Sequence, residues 1–118
     1  MANKVVEINP PKTGTGARTI LAPKDPLTHE NHKAFEAMLD KAMSQHKTEV
    51  ILDCKAVSFI DSAGLEMLVD IDKKLRTRGG ILKIIALNDT CKDILVVTRL
   101  SSDFHVYEDI HEAIRHGA

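Results

Sequence analysis

The chain has 118 residues, of which 43% are hydrophobic and 28% charged, and 16 basic residues nearly balance 17 acidic ones. That length favours one domain, long enough to bury a core. The charge balance argues against direct nucleic-acid binding, which needs a clustered basic excess, and four aromatic residues (three Phe, one Tyr) give little for bases to stack on.

Val5–Ile8 reads as a short strand, ended by the breaker cluster Pro10–Gly16. Arg18–Ala22 reads as a second strand, antiparallel to the first and stopped by Pro23 and Pro26. Thr28 suits a helix N-cap, and Ala34, Phe35, Met38, Leu39, Ala42 and Met43 follow on one helical face. The methionines there read as core filler. Glu49–Asp53 is a short buried strand, and Val57–Ile60 an apolar approach to the next element. A helix opens near Ser62 and runs to about Arg76, with the stripe Leu65, Leu68, Val69, Ile71 and Leu75 and the stop signal Gly79-Gly80. Ile81–Leu87 is a near-continuous apolar strand. Asp89 or Thr90 caps a helix ending near Leu100, His105–Tyr107 is a last strand, and Glu108–His116 closes as a helix with Ile110, Ala113 and Ile114 inward. Strand and helix alternate from residue 49 onward, which implies parallel strands with helical crossovers.

No signal peptide opens the sequence, and no apolar run reaches the roughly 18 residues of a membrane span. A soluble cytoplasmic protein without membrane insertion is expected. Cys54 and Cys91 sit in apolar stretches and read as buried reduced thiols. Asp53 reads as structural. His29 and His32 lack the Cys or acidic partners of a metal set, and no nucleophile–base arrangement points to an enzyme. No cofactor and no metal are expected.

The informative stretch is Phe59-Ile60-Asp61-Ser62-Ala63-Gly64-Leu65, where a buried segment becomes a helix. A helix start carries N–H groups without intrahelical partners and favours negative charge. Asp61 and Ser62 are both strong capping residues, and small Ala63 and Gly64 allow close approach of another chain or a phosphate. Two readings stand on the residues alone. In one, Ser62 is only a cap and Gly64 only a packing glycine. In the other, Ser62 accepts and releases a phosphate. Met67, at the edge of the stripe, reads either as peripheral packing or as a partner contact.

This stretch, set between strand Val50–Asp53, the turn Gly79-Gly80 with its strand, the helix to Leu100, Phe104–Tyr107 and the pair Glu112-Ala113, resembles the STAS family of sulfate transporters and anti-sigma factor antagonists. The resemblance covers residues 49 to 116 well and the N-terminal third less well, where Asp25 stands near the place of a family acid. It implies a single α/β STAS domain over residues 1–118, with a mixed, mostly parallel sheet of four to five strands and four helices. It further implies a non-enzymatic anti-sigma factor antagonist that regulates transcription by partner switching. Ser62 would be the phosphorylated residue, and Asp61, Ser62, Ala63, Gly64, Leu65, Met67 and Asp25 would meet the partner. The implied partners are a serine kinase that is also the anti-sigma factor, and a metal-dependent serine phosphatase. The alternative within the family is an accessory subunit of an ABC-type lipid transporter, docked on its ATPase.

Overall fold

The computed structural model describes residues 5–8, 18–44, 49–100 and 104–115. The breaker cluster Pro10–Gly16 lies outside them, as do the side chains of Ala42 and Met43. The five strands β1 (Val5–Ile8), β2 (Arg18–Pro23), β3 (Glu49–Asp53), β4 (Ile81–Ile85) and β5 (His105–Tyr107) form one sheet in chain order. β1 runs antiparallel to β2, pairing Val5 with Pro23 and Ile8 with Ile20. The other pairings are parallel, with Ile20 opposite Ile51, Val50 opposite Leu82 and Ile84 opposite Val106. Helices α1 (His32–Ser44), α2 (Ser62–Thr77) and α3 (Asp89–Val97) make the crossovers, and α4 (Ile110–Arg115) follows β5.

The strands are short and rich in β-branched residues because they are covered on both faces. On one face Leu21, Val50, Leu52, Leu82 and Ile84 meet Phe35 and Leu39 of α1, Leu68, Ile71 and Leu75 of α2 and Leu95 of α3 in the main core. On the other, Ile51 and Ile85 meet Ala113 of α4 in a smaller cluster. No helix among the described residues is long and apolar enough to cross a membrane.

Several boundaries move from the expected ones, each for a local reason. The Thr28 carbonyl accepts from the N–H groups of Asn31 (3.0 Å) and His32 (2.8 Å), so Thr28 opens a turn and regular helix starts only at His32. β4 stops at Ile85 because Ala86 takes a left-handed φ of 61°. The α3 cap is Asn88, one residue before the expected Asp89 and two before Thr90; its Oδ1 accepts from the Cys91 N–H at 2.8 Å. Asn88 wins because its Nδ2 also donates to the carbonyl of Ser58 at 3.1 Å, which ties α3 to the loop after β3. α4 starts at Ile110, where the Asp109 carboxylate accepts from the Glu112 N–H at 2.9 Å. Ile114, expected inward, is exposed, and so is Ala34 of the α1 stripe.

Lys83 interrupts the apolar run of β4, yet its side chain is fully buried on the α4 face. Its ammonium donates to the Ala113 carbonyl at 2.7 Å and lies 2.8 Å from Glu49 Oε2, while Arg18 Nε donates to Glu49 Oε1 at 2.7 Å. Burial alone would raise the Glu49 carboxyl, but the Lys83 and Arg18 cations outweigh it and hold the group below its ordinary value. Lys83→Met leaves Glu49 with Arg18 alone in a partly dry site and takes the donor from the Ala113 carbonyl. Its expected cost in a urea melt is about 3 kcal/mol, and Glu49→Gln on top should recover part of it.

Candidate functional site

The two loops that leave the carboxyl ends of the parallel strands β2 and β3 meet. Leu27 and Ile60 form an isolated parallel bridge between them. The Leu27 N–H donates to the Phe59 carbonyl at 3.2 Å, and the Asp61 N–H donates back to the Leu27 carbonyl at 3.0 Å. Leu27, Val57 and Ile60 are buried, whereas Ser58 and Phe59 face solvent. This joint fixes where α2 begins.

Asp61 is the N-cap of α2, with extended backbone (φ −93°, ψ −177°). Its Oδ1 accepts from the Gly64 N–H at 3.0 Å, and its carbonyl accepts the first helical bond, from the Leu65 N–H at 2.9 Å. Its Oδ2 accepts from the backbone N–H of His29 at 2.9 Å and lies 3.2 Å from His29 Nδ1. Desolvation would raise the Asp61 carboxyl; the hydrogen bonds from Gly64 and His29, with the imidazole nearby, outweigh it and hold the group below its ordinary value. With both carboxylate oxygens engaged, Asp61 fills the capping role that the sequence left open between itself and Ser62. Ser62 becomes the first residue of the helix, and its side chain is exposed.

The other expected site residues separate by accessibility. Ala63 is half-buried and lines a shallow groove between α1 and α2 with His32, Glu36, Glu66 and Asp70. Asp25 is half-buried in the loop before Leu27, whose course is held by Asn31 Nδ2 donating to the Pro26 carbonyl at 3.0 Å. Gly64 and Leu65 are buried. Close approach at Gly64 is real, but the approaching chain is the protein's own: a Cβ there would overlap the Leu27 carbonyl.

Met67 needs a correction. Only 2% exposed, it packs in the main core and reaches the surface only as part of the lining of that groove, so the packing reading describes most of its side chain. α2 packs on both the sheet and α1, so its buried arc is wider than one stripe and takes in Gly64, Met67 and Asp72.

His29 is the residue the sequence did not assign. Its spacing from Asp61, 32 positions away, carries no signal; only the Leu27–Ile60 bridge brings the two together. Asp53 has the structural role expected, its Oδ1 accepting from the Lys55 N–H at 3.0 Å. Cys54 and Cys91 are free and buried, and burial pushes both thiols up, which disfavours the reactive thiolate.

Two expectations follow from this joint. Gly64→Ala should destabilise by about 2–3 kcal/mol in a denaturant melt, because backbone, rather than a movable side chain, must give way. Asp61→Ala should cost about 1 kcal/mol at neutral pH. A carboxyl lowered in the folded state stabilises fully above its unfolded value near 3.8, and that contribution fades as pH falls through the lower folded value. The gap between wild type and Asp61→Ala, measured by melts from pH 7 to pH 2, should therefore hold to about pH 4 and narrow below it.

Comparison with known proteins agrees with this architecture. The family model of the STAS domain matches residues 9–113. A protein of Thermotoga maritima named "putative anti-sigma factor antagonist" is 28% identical over 96 residues, covering 80% of this chain and 85% of its own. The crystal structure of a Thermotoga maritima protein of that description superposes with a TM-score of 0.79 at 27% identity, over 83% of this chain and 85% of that one. The anti-sigma factor antagonist SpoIIAA shares the fold in its unphosphorylated form (TM-score 0.67, 16% identity, 97% of this chain and 94% of that one). It does so too in its phosphorylated form, described from Bacillus (TM-score 0.66, 18% identity, 97% of each chain). With the sheet order, the loop joint and the capped α2 as described, the match over most of its length shows that the chain belongs to the STAS domain family.

Proposed function

We propose that this STAS domain is an anti-sigma factor antagonist whose partner choice is set by reversible phosphorylation of Ser62. The carrying observation is the division of labour at the α2 N-terminus: Asp61 holds the cap, so the neighbouring Ser62 hydroxyl stands in solvent on a rigid helix end. The name of the Thermotoga maritima relative supports the antagonist reading. The occurrence of SpoIIAA in both phosphorylation states, on the same fold, supports the switch.

The chemistry suits that role. The Ser62 and Ala63 N–H groups precede the first i→i−4 bond, which Leu65 makes, and such groups with the helix dipole favour an added anion. A phosphoserine brings about −1.5 to −2 charges and three acceptor oxygens. Buried in a close-packed protein interface, that charge costs on the order of a few kcal/mol, which changes affinity by orders of magnitude.

In this reading the chain is a substrate, not an enzyme, and works in the cytoplasm. The unphosphorylated form binds a serine kinase that doubles as the anti-sigma factor, phosphorylation releases it, and a metal-dependent phosphatase resets it. ATP and metal belong to those partners. The accessible side chains of Asp61, Ser62, Ala63 and Asp25 form the contact, while Gly64 and Leu65 shape it from beneath.

Recovery of the tagged protein from its own cells, followed by phosphosite mapping and identification of bound partners, tests this. Phosphate on Ser62, lost in Ser62→Ala, and a co-purifying kinase are expected. Since Asp61 provides the cap, Ser62→Ala should change stability by no more than about 0.5 kcal/mol. Phosphate on Ser58, Ser101 or Ser102 instead would overturn the site, and a co-purifying transporter ATPase would overturn the circuit.

A further inference from the structure

A phosphate on Ser62 would enter acidic surroundings. Asp61 precedes it directly and Glu66 lies one turn along the same helix. Glu36 of α1 and Asp70 of α2 line the groove beside Ala63. Asp25 and Glu30 sit on the segment that leads into α1, together with the exposed Lys24, and the exposed Lys33 follows in the first turn of α1. The last-turn cations Lys74 and Arg76 are at the far end of α2. On the segment that meets the α2 N-terminus, two imidazoles stand close by: His32, in the groove, and His29, against Asp61.

His29 is held in an unusual way. Its backbone N–H donates to Asp61 Oδ2 at 2.9 Å, so its main chain is fixed to the cap whatever its ring does. The ring touches the same oxygen at 3.2 Å but is 75% exposed, so it can turn toward solvent without uncovering the core. Imidazole and the second phosphate ionisation titrate in overlapping ranges, near 6 to 6.5 in unperturbed groups. Each therefore favours the charged form of the other when they pair.

Building on the reading of Ser62 as a phosphoacceptor, we infer that His29 is the counter-charge of the phosphorylated site, its imidazolium bridging the Asp61 carboxylate and the phosphate on Ser62. His29 is a positioning residue in this role: it holds the dianion at the helix end and offsets its repulsion from Asp61. In the unphosphorylated protein the same ring steadies Asp61 in its capping rotamer. One residue from the neighbouring loop thus serves both states of the switch.

The test installs phosphoserine at position 62 during translation, so that no kinase is needed, and follows the phosphate by 31P NMR from pH 4.5 to 8.5. The midpoint of the second ionisation should be lower in the otherwise wild-type chain than in His29→Gln by about half a pH unit, the scale of an exposed ion pair. His29→Lys, which restores a cation, should bring the midpoint back down. His32→Gln should leave it in place. Thermal melts check that each variant is folded. Equal midpoints with and without His29 overturn the inference, as does an equal rise in His32→Gln, which would mean that the nearby charge is generic. Because the phosphate is installed directly, the result reads His29 whether or not cells phosphorylate Ser62; failure of the functional reading shows only in the phosphosite mapping.

Discussion

Everything at the functional end hangs on one carbonyl. The Leu27 oxygen accepts the Asp61 N–H, and the absence of a side chain at Gly64 lets the first turn of α2 press against it. That contact sets the height and direction of a helix of 16 residues from its first turn. It also pulls the turn before α1 against the cap, which is how His29 reaches Asp61. A buried backbone joint of this kind has little slack, because the Leu27 N–H and carbonyl and the Asp61 N–H are already paired and unpaired buried groups are costly. The loops at the carboxyl ends of β2 and β3 are therefore a fixed platform, and the exposed Ser62 sits on it as a substituent that can change without the platform changing.

The two faces of the sheet solve different problems. The face under α1, α2 and α3 carries the large aliphatic core. Among the described residues, the face under α4 is covered by a short helix over Ile51 and Ile85, with the Arg18–Glu49–Lys83 chain beside them. A buried lysine with a single carboxylate is a poor stabiliser by itself. Here its ammonium also donates to the carbonyl of Ala113, so it joins α4 to β4 by a charge-assisted bond, and it lies 5.9 Å from the ring centre of Tyr107 on β5. The chain spends charge, rather than more apolar surface, to hold its last helix.

The sequence carried the architecture because the elements from β3 onward agree at every level: β-branched strands, a helix ended by Gly79 with a left-handed φ of 76°, and alternation that leaves little choice of topology. It was weaker wherever a position is decided by something far along the chain. Asn88 caps α3 while also holding the carbonyl of Ser58, 30 residues away, and no local rule ranks it above Asp89. Lys83 reads as an interruption of an apolar strand until Glu49 is seen beside it in the neighbouring strand. Met67 reads as an edge because a single stripe assumes one packing partner, and α2 has two. The position of Ser62 was visible, but the division between cap and hydroxyl was not, since Asp61 and Ser62 are equally good caps in sequence terms.

That division shapes what a modification can do. Were the serine itself the cap, its oxygen would be committed to a backbone N–H, and adding a phosphate would oblige the phosphate oxygens to rebuild the cap. With Asp61 holding the Gly64 N–H, a phosphate on Ser62 would add charge and bulk to a helix that is already closed. The change is then felt mainly by whatever packs against that surface, not by the fold beneath it. Under the proposed phosphorylation, such a site would alter affinity while leaving the stability of its own domain nearly constant, so both states would remain folded and available to different partners. The negative charge must nevertheless be accommodated next to an aspartate whose carboxyl is held ionised by its hydrogen bonds. The helix dipole supplies part of that accommodation along the axis; from the side, the donors within reach are those of the turn that the Leu27–Ile60 bridge brings to the helix end.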